Sequence, residues 1–191
     1  PLLHGDPLEN GEAKLTPRLA AALAAAGAKL GVGRYDEARY LYTSPAFATG
    51  DGPEAERRTI HLGIDLFTEA GTSVYAPLDG TVFTFADNAD PQDYGPVIVL
   101  QHQTGSGESF YTLYGHLDRE SLPALKVGDA VLKGQRLAAI GSPEVNGGWT
   151  PHLHFQVIAD LLELGPGFPG VAPASQRAAW LSLCPDPNLI L

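Results

Sequence analysis

The chain has 191 residues, 44% hydrophobic and 18% charged, with a formal net charge of -10. That length gives one sizeable domain plus extensions, with a core large enough to hold without crosslinks. The acidic balance argues against nucleic acid and against an anionic membrane surface, which both call for clustered Lys and Arg, and it fits poorly with electrostatic attachment to an acidic cell wall.

Residues 1–15 read as polar and irregular, with Gly5, Pro7, Asn10 and Gly11. A helix is predicted next: Thr16 caps it, Pro17 suits its first turn, and the Ala/Leu run from Leu19 to Leu30 stops at Gly31. From about Arg58 the texture changes to short β-type runs between turns, rich in the chain's 22 Gly and 16 Pro. Thr59–Phe67 reads as the first strand, followed by Val74–Ala76, a Pro77–Gly80 turn and Thr81–Ala86. Asp87–Gly95 reads as a solvated acidic loop, and Val97–His102, almost continuously apolar, as a buried strand. Ser109–Leu117 alternates as a strand should. Val127–Ala130 and Gln135–Ile140 flank a Lys133–Gly134 turn, and Pro151–Ile158 follows the Gly/Asn-rich loop Ser142–Thr150. The end predicts a helical turn over Asp160–Leu164, a linker over Gly165–Pro173, and a helix capped by Ser175 that runs through Trp180 to about Leu183.

Cys184 is the one cysteine, which excludes an intramolecular disulfide and reads as a small buried hydrophobe. No apolar run reaches the length of a membrane span. The chain opens with Pro1, carries no Met and shows no leader peptide, so it reads as a piece of a longer protein.

The chemistry-bearing residues are among the six histidines, His4, His61, His102, His116, His152 and His154. His61 and Asp65 are four apart; on one strand they would share a face, with Gly63 leaving that face open. A neutral imidazole and a carboxylate make a zinc pair, although a plain His–Asp hydrogen bond has the same spacing. His152 and His154 share a face two residues apart, with Leu153 and Phe155 turned to the core. They read equally as an exposed pair on a sheet. His116 ends an alternating strand, where a surface histidine is the plain reading. Taken jointly, two imidazoles and a carboxylate with an open fourth position describe a catalytic zinc site, and two further imidazoles would supply acid/base groups. His102 reads as a packed core histidine, and Trp149 and Tyr94 are candidates to line a substrate groove.

These segments resemble the lysostaphin/LytM family of zinc metallo-endopeptidases. The family's His-x-x-x-Asp, Tyr-x-His-Leu and His-x-His stand here as His61-Leu-Gly-Ile-Asp65, Tyr114-Gly115-His116-Leu117 and His152-Leu153-His154. The turns Ala76–Gly80, Val127–Asp129, Lys133–Gln135 and Ile140–Ser142 match in style and order, and the resemblance covers about residues 55–159. It implies an all-β core in which antiparallel sheets, built on a duplicated hybrid motif, form an open groove, flanked here by N- and C-terminal helices. It implies zinc bound by His61, Asp65 and His154, with His116 and His152 as the catalytic histidines. The implied substrate is a peptide or peptidoglycan-type peptide cut beside glycine.

The division expected is an N-terminal extension (1–54), the peptidase-like domain (55–159) and a C-terminal extension (160–191). The last departs from the family, as do the acidic charge and the lack of a wall-binding module. The tail resembles a junction in large bacterial multidomain chains, which implies covalently linked neighbours, a cytoplasmic setting in that case and a cell-envelope one otherwise. Within a multidomain chain the substrate would be a small peptide-like metabolite. Three rivals are a non-catalytic scaffold of the same fold, a histidine phosphocarrier and a glycan- or peptide-binding module. The phosphocarrier is disfavoured because Asp65 beside His61 would repel a phosphoryl group.

Overall fold

The computed structural model describes residues 12–42 and 44–191, so His4 and most of the expected irregular start lie outside the described residues. Helix α1 (Glu12–Ala26) begins a turn earlier than a cap at Thr16 predicts and carries Pro17 inside it. The Thr16 hydroxyl is taken by Thr150, 2.7 Å away, and so leaves the helix end for a tertiary partner. Leu15 and Leu19, four residues apart on one helix face, are buried. The helix stops at Ala26, short of Leu30, because the Gly27 and Ala28 N–H groups turn back to the Ala24 and Leu23 carbonyls at 3.1 and 2.9 Å.

The body is an open, antiparallel seven-stranded sheet. Its spatial order is β1 (Gly31–Gly33), β3 (Ile64–Phe67), β10 (His152–Ile158), β7 (Ser109–Gly115), β6 (Gly95–Gln103), β5 (Gly80–Asn88) and β8 (Ala130–Val131). Two small antiparallel pairs accompany it: β2 (Arg58–His61) with β11 (Val171–Pro173), and β4 (Ser73–Tyr75) with β9 (Arg136–Ala139). The all-β expectation holds.

Strand period two decides which core each residue enters. On β6, Ile98 and Leu100 face one core with Tyr114, Phe155 and the β4/β9 residues Val74 and Ala138. Val97 and Val99 face a second with Leu113, Ile158, Phe168 and Cys184. Both faces of the sheet are covered, which explains why this strand reads as continuously apolar. His102 is the packed histidine expected, bonded to the Asp79 carbonyl and the Thr112 hydroxyl at 2.7 Å each.

Four expectations fail for physical reasons. Thr59–Phe67 is not one strand: the chain breaks at Leu62–Gly63, and its halves join different sheets. Asp160–Leu164 is no right-handed helical turn, since Leu162 and Glu163 sit at φ 49 and 65. The Gly/Pro linker contains β11, and Ser175 caps no helix because it bonds Glu56; α2 runs from Arg177 to Leu183.

Candidate metal centre

The centre lies where β2, β3 and β10 meet. His61 ends β2, Asp65 lies in β3, and His154 in β10 is directly opposite Asp65 in the ladder. His61 and Asp65 converge by the break between two strands, and not by sharing one strand's face. Gly63 permits that crossing: a Cβ there would lie 2.6 Å from the Phe155 carbonyl and 2.8 Å from the His154 ring. On β10, Leu153, Phe155 and Val157 enter the core, so His152, His154 and Gln156 project from the other face.

Three donor atoms converge. His61 Nε2 lies 3.1 Å from His154 Nδ1 and 3.2 Å from Asp65 Oδ1, and His154 Nδ1 is 3.1 Å from Asp65 Oδ1. The outer nitrogens fix the tautomers. His61 Nδ1 faces the Arg34 carbonyl at 2.9 Å and must donate to it. His154 Nε2 faces Gln156 Oε1 at 2.9 Å, an oxygen fixed because the Gln156 amide nitrogen donates to the Pro169 carbonyl at 3.3 Å. Neither imidazole then has a proton left for the other or for Asp65. Three lone pairs, one on a carboxylate, point at one another in a buried place. That arrangement is repulsive unless a cation sits among them. Ligands about 2.0–2.1 Å from a tetrahedral ion stand about 3.3 Å apart, close to the spacing seen. The donor set therefore fits a metal.

His116 and His152 complete the cluster. Their Nδ1 atoms donate to the Asn146 and Thr150 carbonyls at 2.9 and 2.6 Å, which leaves both Nε2 lone pairs free. His152 Nε2 is 3.7 Å from Asp65 Oδ1, and the His116 and His152 rings are 4.3 Å apart. His116 sits at φ 63, a conformation that a non-glycine residue adopts at some strain and that tends to mark functional sites. Gly115 before it makes room for Tyr94, whose ring would meet a Cβ at 2.5 Å. All five residues are between 1% and 6% exposed, around a cavity of about 280 Å³.

Burial acts on the protonation of His116, His152 and His61. It holds His116 well below the ordinary histidine range, with His152 and His154 adding to the effect. It lowers His152, against the pull of Asp65, and lowers His61 to about 4, with the Arg39 cation contributing. Burial alone would raise Asp65, but His61 and Arg39 hold it well below the usual carboxylate range. A cluster of neutral imidazoles around one carboxylate is the form that binds a cation.

A family model for peptidase family M23 matches residues 59–166, over half of the chain. The chain belongs to peptidase family M23. That places it among the hydrolases. Two curated relatives carry peptidase names. An uncharacterized metalloprotease of Haemophilus influenzae is 36% identical over 104 residues, 54% of this chain and 20% of that protein. The peptidoglycan DD-endopeptidase ShyA of Vibrio cholerae serotype O1 is 33% identical over 107 residues, 56% of this chain and 22% of that protein. The match thus spans about a fifth of each relative. Among solved structures, the catalytic domain of lysostaphin from Staphylococcus simulans aligns over 83% of this chain and 96% of its own at 24% identity, with a TM-score of 0.47.

Arg39, which lies outside the residues matched by the M23 model, is the neighbour that sequence reasoning missed. It is buried, and its Nη1 bonds Asp65 Oδ2 and, at 3.2 Å, the Tyr42 hydroxyl; its Nε reaches Glu37 at 3.2 Å. Asp65 thereby gives one oxygen to the arginine and keeps the other for the donor cluster. No spacing rule points at Arg39. Gln156 was within reach, since it follows His154 by two residues and so shares its face of the strand.

Proposed function

We propose that this chain is a zinc metallo-endopeptidase acting on Gly-containing or peptidoglycan-type peptides. His61, Asp65 and His154 would hold the zinc, and His116 and His152 would be the catalytic histidines. The supporting observation is the meeting of three lone pairs with no proton between them. Two nitrogens and one oxygen suit zinc, with a fourth position left for water or substrate. The peptide-bond chemistry follows from membership of the M23 family, and the peptidoglycan-type substrate from the name of the Vibrio relative.

A bound zinc ion supplies Lewis acidity and brings the pKa of water toward neutrality. His116 and His152 take the attacking water's proton on Nε2 and return it to the leaving amine. Their Nδ1–H bonds to backbone carbonyls hold each ring with that nitrogen toward the donor cluster. Burial keeps both neutral at pH 7, so each Nε2 carries a free lone pair. As part of the same proposal, the chain works joined to further domains, in keeping with relatives far longer than the match.

Elemental analysis and a hydrolysis assay test this together. About one zinc per chain is expected, with cleavage of glycine-containing peptides falling roughly 10²–10⁴-fold in His116→Ala. A chain that binds no stoichiometric zinc and cuts nothing would instead be the non-catalytic scaffold.

A further inference from the structure

A circuit of contacts runs through the walls of the cavity beside the donor cluster. The Trp149 indole N–H donates to the Asp93 carbonyl at 3.1 Å. The Trp149 ring lies 6.2 Å from both the Tyr42 and Phe47 rings, which themselves stand 4.8 Å apart. Tyr42 and Phe47 pack with Val171. From Val171 the chain leads back to Phe168, whose carbonyl accepts the Tyr94 hydroxyl at 3.1 Å, and Tyr94 adjoins Asp93. Every residue of this circuit lines the one cavity that the metal-centre side chains also line.

Much of the ring comes from outside the family core. Tyr42, Phe47, Phe168 and Val171 fall outside the residues matched by the M23 model, 59–166. They are held in place along β2. On one side Ala38 and Ala48 bridge to Ile60 and Arg57, with the Asp36 N–H reaching the His61 carbonyl at 2.9 Å. On the other side β11 pairs with β2.

We infer that these flanking segments turn the site into a well, and that its substrate is a short, small-residue peptide entering by a free end. A strand of a crosslinked network has to lie across a site and leave at both sides, and the walls that the flanking segments add stand in that path. The volume agrees: about 280 Å³ falls just below the usual range for small-molecule sites, about 300–1,000 Å³. Small residues are favoured because the Tyr42, Phe47 and Trp149 rings occupy the space that a large side chain would need. The inference rests on the peptidase reading above and narrows it.

The test compares pentaglycine free in solution, the same pentaglycine spliced between two folded carrier domains, and purified peptidoglycan, each with the zinc-loaded chain. The free peptide is expected to be cut at least about tenfold faster in kcat/KM than either of the others. Phe47→Ala, and independently Trp149→Ala, should shrink that ratio by opening the ring. In a Trp180→Phe background, where Trp149 is the sole indole, free pentaglycine should change the fluorescence and the spliced form should not. Equal cleavage of all three substrates by the unmodified chain would overturn the well while leaving the peptidase intact. So would ring variants that cut every substrate faster by the same factor, which would make the ring a plug. Failure to cut any substrate despite bound zinc would remove the peptidase reading itself, and the well with it.

Discussion

Asp65 answers to two cationic positions at once, since Oδ2 is bonded to the Arg39 guanidinium and Oδ1 faces the imidazoles. Without a metal, Arg39 is the only full positive charge bonded to that buried carboxylate among the described residues, so Arg39→Ala strands it. A loss of about 3–5 kcal/mol is expected in denaturant melts of the metal-free chain. The loss should be smaller in zinc, because the ion then compensates Asp65; an equal loss in both conditions would mean that Arg39 acts only by packing.

The histidines set a pH dependence for the same metal-free chain. His61, His116 and His152 all have lowered pKa values in the fold, His61 to about 4 from an ordinary 6.5. Above about pH 6.5 neither the folded nor the unfolded chain protonates them, and they leave stability unchanged. As pH falls below that, the unfolded chain takes up protons that the folded one refuses, so stability drops steadily toward pH 4. Asp65, lowered below its ordinary 3.8, stabilises the fold above that value and loses its contribution only in stronger acid. A thermal melt series in chelator from pH 8 to pH 4 reads this directly; a flat profile would contradict the buried neutral assignment.

At the scale of elements, the site shows how residues that the structure brings together can be reached through a wrong local picture. His61 and Asp65 were legible from their spacing and from the resemblance, yet the one-strand geometry that made them seem natural partners is absent. The break at Leu62–Gly63 sends His61 into the β2/β11 pair and Asp65 into the main sheet. Nothing in Thr59–Phe67 signals it except the glycine, because a short apolar run satisfies one strand or two equally well. Pairing of β2 with a segment more than a hundred residues later decides between them. Strands whose two faces both meet a core, such as β6, were read correctly since length and apolarity suffice there. β1 and β11 were missed because three residues of Gly, Pro and small apolar side chains carry no period at all. Gly63→Ala tests the crossing. Its Cβ would press on the Phe155 backbone, which cannot retreat as a side chain can. A cost of about 1–3 kcal/mol is expected, together with weaker zinc binding in a chelator competition, since the His154 ring must shift as well.

For the whole molecule, relatedness and packing draw different lines. We propose the three-part division 1–54, 55–159 and 160–191 as one of ancestry. Packing ties the outer parts to the middle one: Phe168 and Cys184 are fully buried in the core that β6, β7 and β10 share, and the Tyr35 hydroxyl bonds the Cys184 carbonyl at 2.6 Å. The second core is thus built in part by the tail. The donors of the metal centre straddle this same seam, His61 on the pair formed with β11, Asp65 and His154 on the main sheet. An ion held by all three would act as a rivet between the layers. Its effect should be felt far from the chemistry, at the Cys184 thiol, which burial pushes up to about 12 and so keeps inert while the layers stay closed. Alkylation of that sulfur would then time the parting of the two layers, and zinc should slow it.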